Sequence, residues 1–238
     1  TRKFKSLKND EEVIIDVNKL AKKHTYYSIG DISISPDNKI LAYSFDTLSR
    51  RLYSIKFLNL KTREYYKETI KNTTGSITWA NDNKTAFYSK KENKTLRVNK
   101  IFKHKLNMDS KKDVLVYEEK DDEFSTGISK TKSQDFLVIS SRSTLSTELR
   151  YLNANNPENK FKLFLKREQN HEYSISHFQD NFYIFNNSNN SNNFRIMMCS
   201  TIDTSKLNWK EVIPHNKDIL IEDFELFNDF FVIVERNL

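Results

Sequence analysis

"GDISISPDNKILAYSFD", residues 30–46, alternates Ser and Ile, breaks at Pro36-Asp37-Asn38 and resumes as an apolar, aromatic run. Alternation with a period of two marks a strand that buries one face. The Pro-Asp-Asn break supplies residue types that tolerate left-handed or side-chain-bonded turns. The stretch therefore reads as a β-hairpin, and it is one copy of several. "GSITWANDNKTAFYSKK" starts at Gly75, "GISKTKSQDFLVISSRS" at Gly127, "YSISHFQDNFYIFNNS" at Tyr173 and "DFELFNDFFVIVERN" at Asp223. The starts lie about 48 residues apart, and a period of roughly 40 to 50 with several short strands per unit is the signature of a propeller blade.

Four strand signals recur within each period. The first unit has them at Asp31 to Ser35, Ile40 to Asp46, Tyr53 to Leu60 and Glu64 to Ile70, and the second at Ser76 to Trp79, Thr85 to Lys90, Asn99 to Leu106 and Asp113 to Glu118. The third follows with "GISK", "FLVISS", "ELRYLNA" and "KFKLFLK", the fourth with "YSISH", "NFYIFN", "FRIMMCS" and "WKEVIP". The expected fold is all-β, a single partial β-propeller domain over residues 1–238 holding about four complete blades and parts of two others. "EEVIIDVN", residues 11–18, reads as the outermost strand of a preceding blade, and the fifth unit carries only two strands. A blade cannot bury its faces alone, so further sequence on both sides, or a partner chain over the open flanks, is expected.

The composition allows a sizeable core, with 37% hydrophobic residues in 238. The net charge of +7 invites a nucleic-acid reading, but the basic residues are spread over turns and strand edges and interleaved with acids, as in "EEKDDE" at 118–123. A solvated basic surface is expected, with no nucleic-acid partner. The three glycines, at 30, 75 and 127, are too far apart for G-x-G-x-x-G, G-x-x-x-x-G-K-[ST] or G-x-S-x-G. One cysteine, Cys199, excludes an internal disulfide and a multi-cysteine zinc site. No run approaches the roughly 18 apolar residues of a membrane helix, and a cytoplasmic location without membrane contact is the expectation.

Few residues suggest chemistry. His171, Glu172 and His177 partly match a metalloprotease helix motif, but the spacing is six instead of four and the segment alternates like a strand. The two histidines would then share a face about 20 Å apart, too far for one metal. Cys199 in "IMMCS" has no neighbour that would activate it and reads as a buried thiol. The acidic run "EEKDDEF" lacks the glycine and spacing of a calcium loop and reads as a solvated connection. "NNSNNSNN", residues 186–193, reads as a mobile loop, and Trp79 and Trp209, in phase with the repeat, as packing residues. No catalytic, cofactor-binding or metal-ligating residue is expected, and no cofactor.

Aligned on the repeat, the chain resembles the propeller domain of the oligopeptidase B (protease II) branch of the prolyl oligopeptidase family of serine peptidases. The resemblance rests on "EEVIIDVNKLAKKHTYYSIGDISISPDNKILAYSFDTLSRRLYSIKFLNLKT", "SITWANDNKTAFYSKKENKTLR", "DVLVYEEKDDEF", "SSRSTLSTELRYL", "HEYSISH" and "NWKEVIPH", and runs from about Glu11 to Arg236. It implies a seven-bladed propeller covering an α/β-hydrolase domain, a diet of short peptides and cleavage after basic residues. It further implies that this chain starts late in the first blade and stops midway through the sixth. Ser, Asp and His of a triad then lie outside these residues, and the chain alone is expected to be inactive. The resemblance places the loops "DTLSRR" (46–51) and "KKENKTLR" (90–97) on the rim facing the hydrolase, with Arg50, Arg51 and Arg97 as candidates for interdomain ion pairs or as ordinary solvated charges. A free-standing propeller that binds proteins, or a non-catalytic remnant of a shortened peptidase gene, is the rival reading.

Overall fold

The computed structural model describes residues 1–92 and 94–237. It divides into two compact units, Thr1–Tyr117 and Glu118–Leu238. The first opens with a short strand pair, Arg2–Lys3 (β1) and Glu11–Glu12 (β2), and a helix, Val17–Ala21 (α1). The expected strand over 11–18 is thus confined to its first two residues. Asp16 accepts the Lys19 N–H at 3.0 Å, an N-cap that starts a helical turn where alternation alone suggested extension.

Two antiparallel meanders follow. One runs Ser28–Ile34 (β3), Ile40–Asp46 (β4), Tyr53–Asn59 (β5) and Ile70–Thr73 (β6), the other Ile77–Trp79 (β7), Thr85–Lys91 (β8), Val98–Lys105 (β9) and Val114–Glu118 (β10). The fourth strand of the first sheet lies later than the expected Glu64 to Ile70. Asn59 Oδ1 accepts the N–H groups of Lys61 and Thr62, Arg63 is left-handed at φ 65, and only an isolated bridge from Tyr65 to Leu58 forms before pairing resumes at Ile70.

The second unit holds two more four-stranded meanders. They are Ser125–Lys130 (β11), Phe136–Arg142 (β12), Thr147–Asn153 (β13) and Lys162–Leu165 (β14), then Tyr173–Phe178 (β15), Asn181–Asn186 (β16), Arg195–Ser200 (β17) and Lys210–Ile213 (β18). A hairpin of Ile219–Leu226 (β19) and Phe231–Asn237 (β20) ends the unit, starting four residues before the repeat signal at Asp223. This is the all-β architecture of propeller blades expected from the period. No helix among the described residues is long and apolar enough to cross a membrane.

The turn after each first strand explains why the repeat is so regular. Asn38, Asn83, Gln134 and Gln179 occupy it with φ of 59, 59, 67 and 52. In the first sheet Ser35 Oγ donates to Asp37 Oδ1 at 2.7 Å and accepts the Ile40 N–H at 3.0 Å, closing the turn from inside.

β4 shows how the core is made. Its alternate residues Ile40 and Ala42 face the second sheet, in a cluster with Ile55, Phe57, Ile77, Trp79 and Tyr88. Leu41 and Tyr43 face the opposite way and pack with Ile14, Ile15 and Leu20 of the N-terminal segment. A strand covered on both faces reads as a continuous apolar run, as "ILAYSF" does. Three hydrogen bonds then fix one sheet on the next: Asn83 Oδ1 accepts the Asp37 N–H at 2.7 Å, Asp31 Oδ2 accepts the Ile77 N–H at 3.0 Å, and Trp79 Nε1 donates to Ser33 O at 3.3 Å. In the second unit Val138, Leu149, Tyr151, Phe164, Phe182, Ile184 and Trp209 form the corresponding core.

Candidate functional site

Each meander carries its second-to-third-strand loop at one end of the sheet, together with the connection that leads to the next sheet. In the first unit this end is organised by Asp46, the last residue of β4. Its buried carboxylate accepts the Leu48 N–H at 2.8 Å on one oxygen and the Arg50 and Arg51 N–H groups at 2.9 and 2.8 Å on the other. Three backbone donors on one carboxylate pin the loop, and Ser49 and Arg51 take left-handed conformations to meet it. Lys91 from β8 donates to the Arg51 carbonyl at 3.1 Å. The side chains of Arg50 and Arg51 are exposed and, among the described residues, have no carboxylate partner. The corresponding loop of the second sheet is closed by Glu92, whose N–H donates to Arg97 O at 2.8 Å, while Thr95 Oγ1 donates to the Glu92 carboxylate at 2.6 Å. Arg97 is half-buried; Asn93 lies outside the described residues.

At the same end of the sheets in the second unit, Arg167 collects carboxylates. Its Nη2 donates to Glu119 at 2.6 Å and lies 3.5 Å from Glu148, its Nη1 donates to Asp121 at 3.2 Å, and its guanidinium sits 3.7 Å from the centre of the Phe124 ring. The Arg167 N–H adds a bond to the other Glu148 oxygen at 3.2 Å. Burial works to raise the Glu148 pKa, but the Arg150 hydrogen bond and the Arg150 and Arg167 charges outweigh it and hold the carboxyl below its ordinary value. The acidic run 118–123 is therefore a structural partner for one arginine, more than a solvated connection.

The Asn-rich segment is also more ordered than its composition suggests. Asn186 Oδ1 accepts both the N–H and the hydroxyl of Ser188, Arg195 Nη2 donates to Ser188 Oγ at 3.1 Å, Asn187 accepts the Glu172 N–H at 2.9 Å, and Asn193 Nδ2 donates to the carbonyls of Asn216 and Lys217. The expectation of a mobile loop is corrected on this ground: Asn side chains bond their own backbone and tolerate the left-handed φ seen at Asn189 and Asn190.

The sequence candidates do not converge. His171 lies in the connection before β15 and not on the strand, stacked on Tyr173 with Nδ1 3.4 Å from Glu168. His177 is on β15 and contacts Ser133 Oγ at 2.8 Å. Burial depresses the pKa of both, with the Lys206 charge adding to the effect at His171 and the Asp135 charge opposing it at His177. Burial pushes the Cys199 thiol up to about 11, which keeps it protonated and unreactive at neutral pH. Among the described residues no group of three or more His, Cys, Asp or Glu is placed to hold a metal ion.

A further buried constellation that the sequence did not reveal is His104 with Asp113 and Tyr88. His104 Nδ1 donates to Asp113 Oδ1 at 2.7 Å, and Tyr88 donates to Oδ2 at 2.8 Å. His104 is fully enclosed and stacked on Phe57, so it braces the strand edge without meeting solvent. Its parts come from β8, β9 and the turn before β10, a juxtaposition set by register and not by any local motif.

Comparison with known proteins accords with this geometry. The profile of a family described as the prolyl oligopeptidase N-terminal beta-propeller domain matches residues 2–237. Dipeptidyl aminopeptidase BI of Pseudoxanthomonas mexicana is 39% identical over 226 residues, 95% of this chain and 31% of that protein. Protease 2 of Moraxella lacunata is 28% identical, over 95% of this chain and 32% of its own length. Among solved structures, oligopeptidase B from Leishmania major superposes with a TM-score of 0.88 at 25% identity, and the closed form of oligopeptidase B from Trypanosoma brucei with bound antipain with 0.85 at 26%. These matches cover 95% and 96% of this chain and 32% of each solved chain. The chain thus spans about a third of the length of these relatives.

Proposed function

The chain belongs to the prolyl oligopeptidase family through its N-terminal β-propeller domain, and from that premise we propose that it is the gating and substrate-selecting domain of a serine oligopeptidase that hydrolyses short peptides after basic residues. Residues 1–238 form one partial propeller in this reading, with blade units starting near 30, 75, 127, 173 and 223. Acyl transfer needs a nucleophilic Ser, a base and an orienting acid in one constellation; here an α/β-hydrolase domain outside these residues supplies them.

The observation that carries the reading is the Asp46 turn. A buried carboxylate organises a loop whose two exposed arginines have no acid beside them among the described residues. Such a loop suits a facing acidic surface, and Arg50 and Arg51 are the residues we assign to the hydrolase interface. A second supporting feature is an apolar groove of about 720 Å³ in the first unit, lined by Phe4, Ile14, Ile15, Ile32, Ile34 and Leu41; a further blade of the parent protein covers it in this reading.

The 39% identity to a dipeptidyl aminopeptidase favours a second reading for the parent, release of dipeptides from peptide N-termini. One assay separates the two. The chain alone is expected to leave a fluorogenic dibasic peptide intact, whereas the parent enzyme cleaves it; blocking the peptide's N-terminus spares hydrolysis by an oligopeptidase and abolishes it for a dipeptidyl aminopeptidase. Turnover by the chain alone, after inhibition of contaminating proteases, would end the proposal.

A further inference from the structure

At the opposite end of the sheets in the second unit, Lys132 leaves the turn between β11 and β12 and reaches a residue 93 positions downstream. Its ammonium donates to Glu225 Oε1 at 2.7 Å and to the Leu226 carbonyl at 2.9 Å, and lies 3.8 Å from the centre of the Phe227 ring. An ammonium has three N–H donors, and a carboxylate, a carbonyl and an aromatic face meet them. The receptor half is built without Lys132. Phe227 N–H donates to Phe230 O at 3.0 Å in the β19–β20 turn, and the Phe227 and Phe230 rings stack at 4.6 Å. The lysine and Glu225 side chains are 55% and 52% exposed, and Phe227 and Phe230 are 40% and 59% exposed. An ion pair this exposed is weak, so its cation is exchangeable.

We propose that Glu225, Leu226 O and Phe227 form a subsite for the cationic side chain of a peptide, which Lys132 occupies as an internal stand-in until a ligand displaces it. Arginine is the favoured occupant, because its planar guanidinium pairs with a carboxylate and stacks on an aromatic face at once. Only the identity of the ligand as a peptide rests on the peptidase reading; the cationic preference rests on the three contacts.

The test uses the 238-residue chain and two neutral-ended probes, N-acetyl-arginine amide and N-acetyl-norleucine amide, with binding followed by chemical shifts of the 225–230 segment. Lys132→Met vacates the site at an exposed position, so the fold is kept. The arginine probe is expected to bind this variant about two- to fivefold more tightly than it binds the unaltered chain, the range a weak internal pair can suppress, with no response to norleucine. Adding Glu225→Gln to Lys132→Met should return the affinity to the unaltered level or below. Failure of Lys132→Met to bind the arginine probe, equal affinity with and without Lys132, or binding indifferent to Glu225 would each overturn the proposal, whatever the activity of the parent enzyme.

Discussion

Gly30 and Gly75 stand 45 positions apart in the sequence and press against the same ring, that of Tyr53 on β5. A Cβ at Gly30 would come within 2.5 Å of Ser44 Oγ and 2.7 Å of the Tyr53 ring; one at Gly75 would lie 3.0 Å from that ring. Gly127, in the equivalent phase of the third unit, has nothing nearer than Ser140 Oγ at 3.9 Å. The same repeat position is thus under steric demand in two sheets and relaxed in a third.

Gly30→Ala is therefore expected to destabilise the first unit by about 1–3 kcal/mol through overpacking. Gly75→Ala should cost more for its local clearance, since Gly75 also holds φ +102, where a side chain is strained. Gly127→Ala should be neutral within about 0.5 kcal/mol. Urea unfolding ranks the three, followed by Trp79 fluorescence for Gly30 and Gly75 and by Trp209 fluorescence for Gly127; equal losses at all positions would contradict the close approach to Tyr53.

Tyr173 joins two strands of the neighbouring sheet through one oxygen, accepting the Leu149 N–H at 2.9 Å and donating to Leu165 O at 3.0 Å. Tyr173→Phe keeps the ring and strips both bonds from a buried site, so a loss of about 1–3 kcal/mol is expected. The readout is the unfolding midpoint reported by Trp209.

Arg167→Ala removes a shared partner from the buried Glu119 and Glu148 and is expected to cost on the order of 2 kcal/mol. Arg167→Lys should recover less than half, because an ammonium cannot span the fork between Glu119 and Asp121 while covering Phe124. Thermal melts at low and high salt measure both. Full rescue by lysine would show that charge alone matters there.

His171 and His177 are held below the ordinary value of 6.5, burial being the main cause. The unfolded chain then takes up protons near 6.5 while the folded chain resists until lower pH. Stability is expected to be full above about pH 7, to fall as pH drops through 6.5, and to level only below the folded values. Urea midpoints from pH 7.5 to 5 measure the slope, and replacing both histidines with Gln should flatten it.

Much of this architecture was legible because the repeat writes its own boundaries. β4, β8, β12 and β16 sit on the runs beginning at Ile40, Thr85, Phe136 and Asn181, where a left-handed turn and an apolar strand coincide in four copies. The outer strands were less legible: β6 waits for the Asn59 turn to unwind, and residues 17–21 coil because one Asp caps them. Of the candidate face, Arg50 and Arg51 were reachable only through the family resemblance, and the turn that presents them was not. Asp46 signalled its role only weakly, as an Asp at a strand end before polar residues. Arg167, Lys132 and His104 gave no signal, since their partners lie tens of residues away or depend on strand register.

Three of the bonds that tie the second sheet to the first, Asp37 to Asn83, Asp31 to Ile77 and Ser33 to Trp79, span the same 46 residues. They work as the teeth of a ratchet. An insertion at 61–64, ahead of Glu68 and its 2.7 Å bond from the Asn107 N–H, would lengthen the chain without disturbing the mesh, whereas a slip of one residue in β7 would disengage the teeth on Ile77 and Trp79 together. Changes of length that this pair of sheets tolerates are thereby expected at its periphery, with the stagger between the two sheets kept.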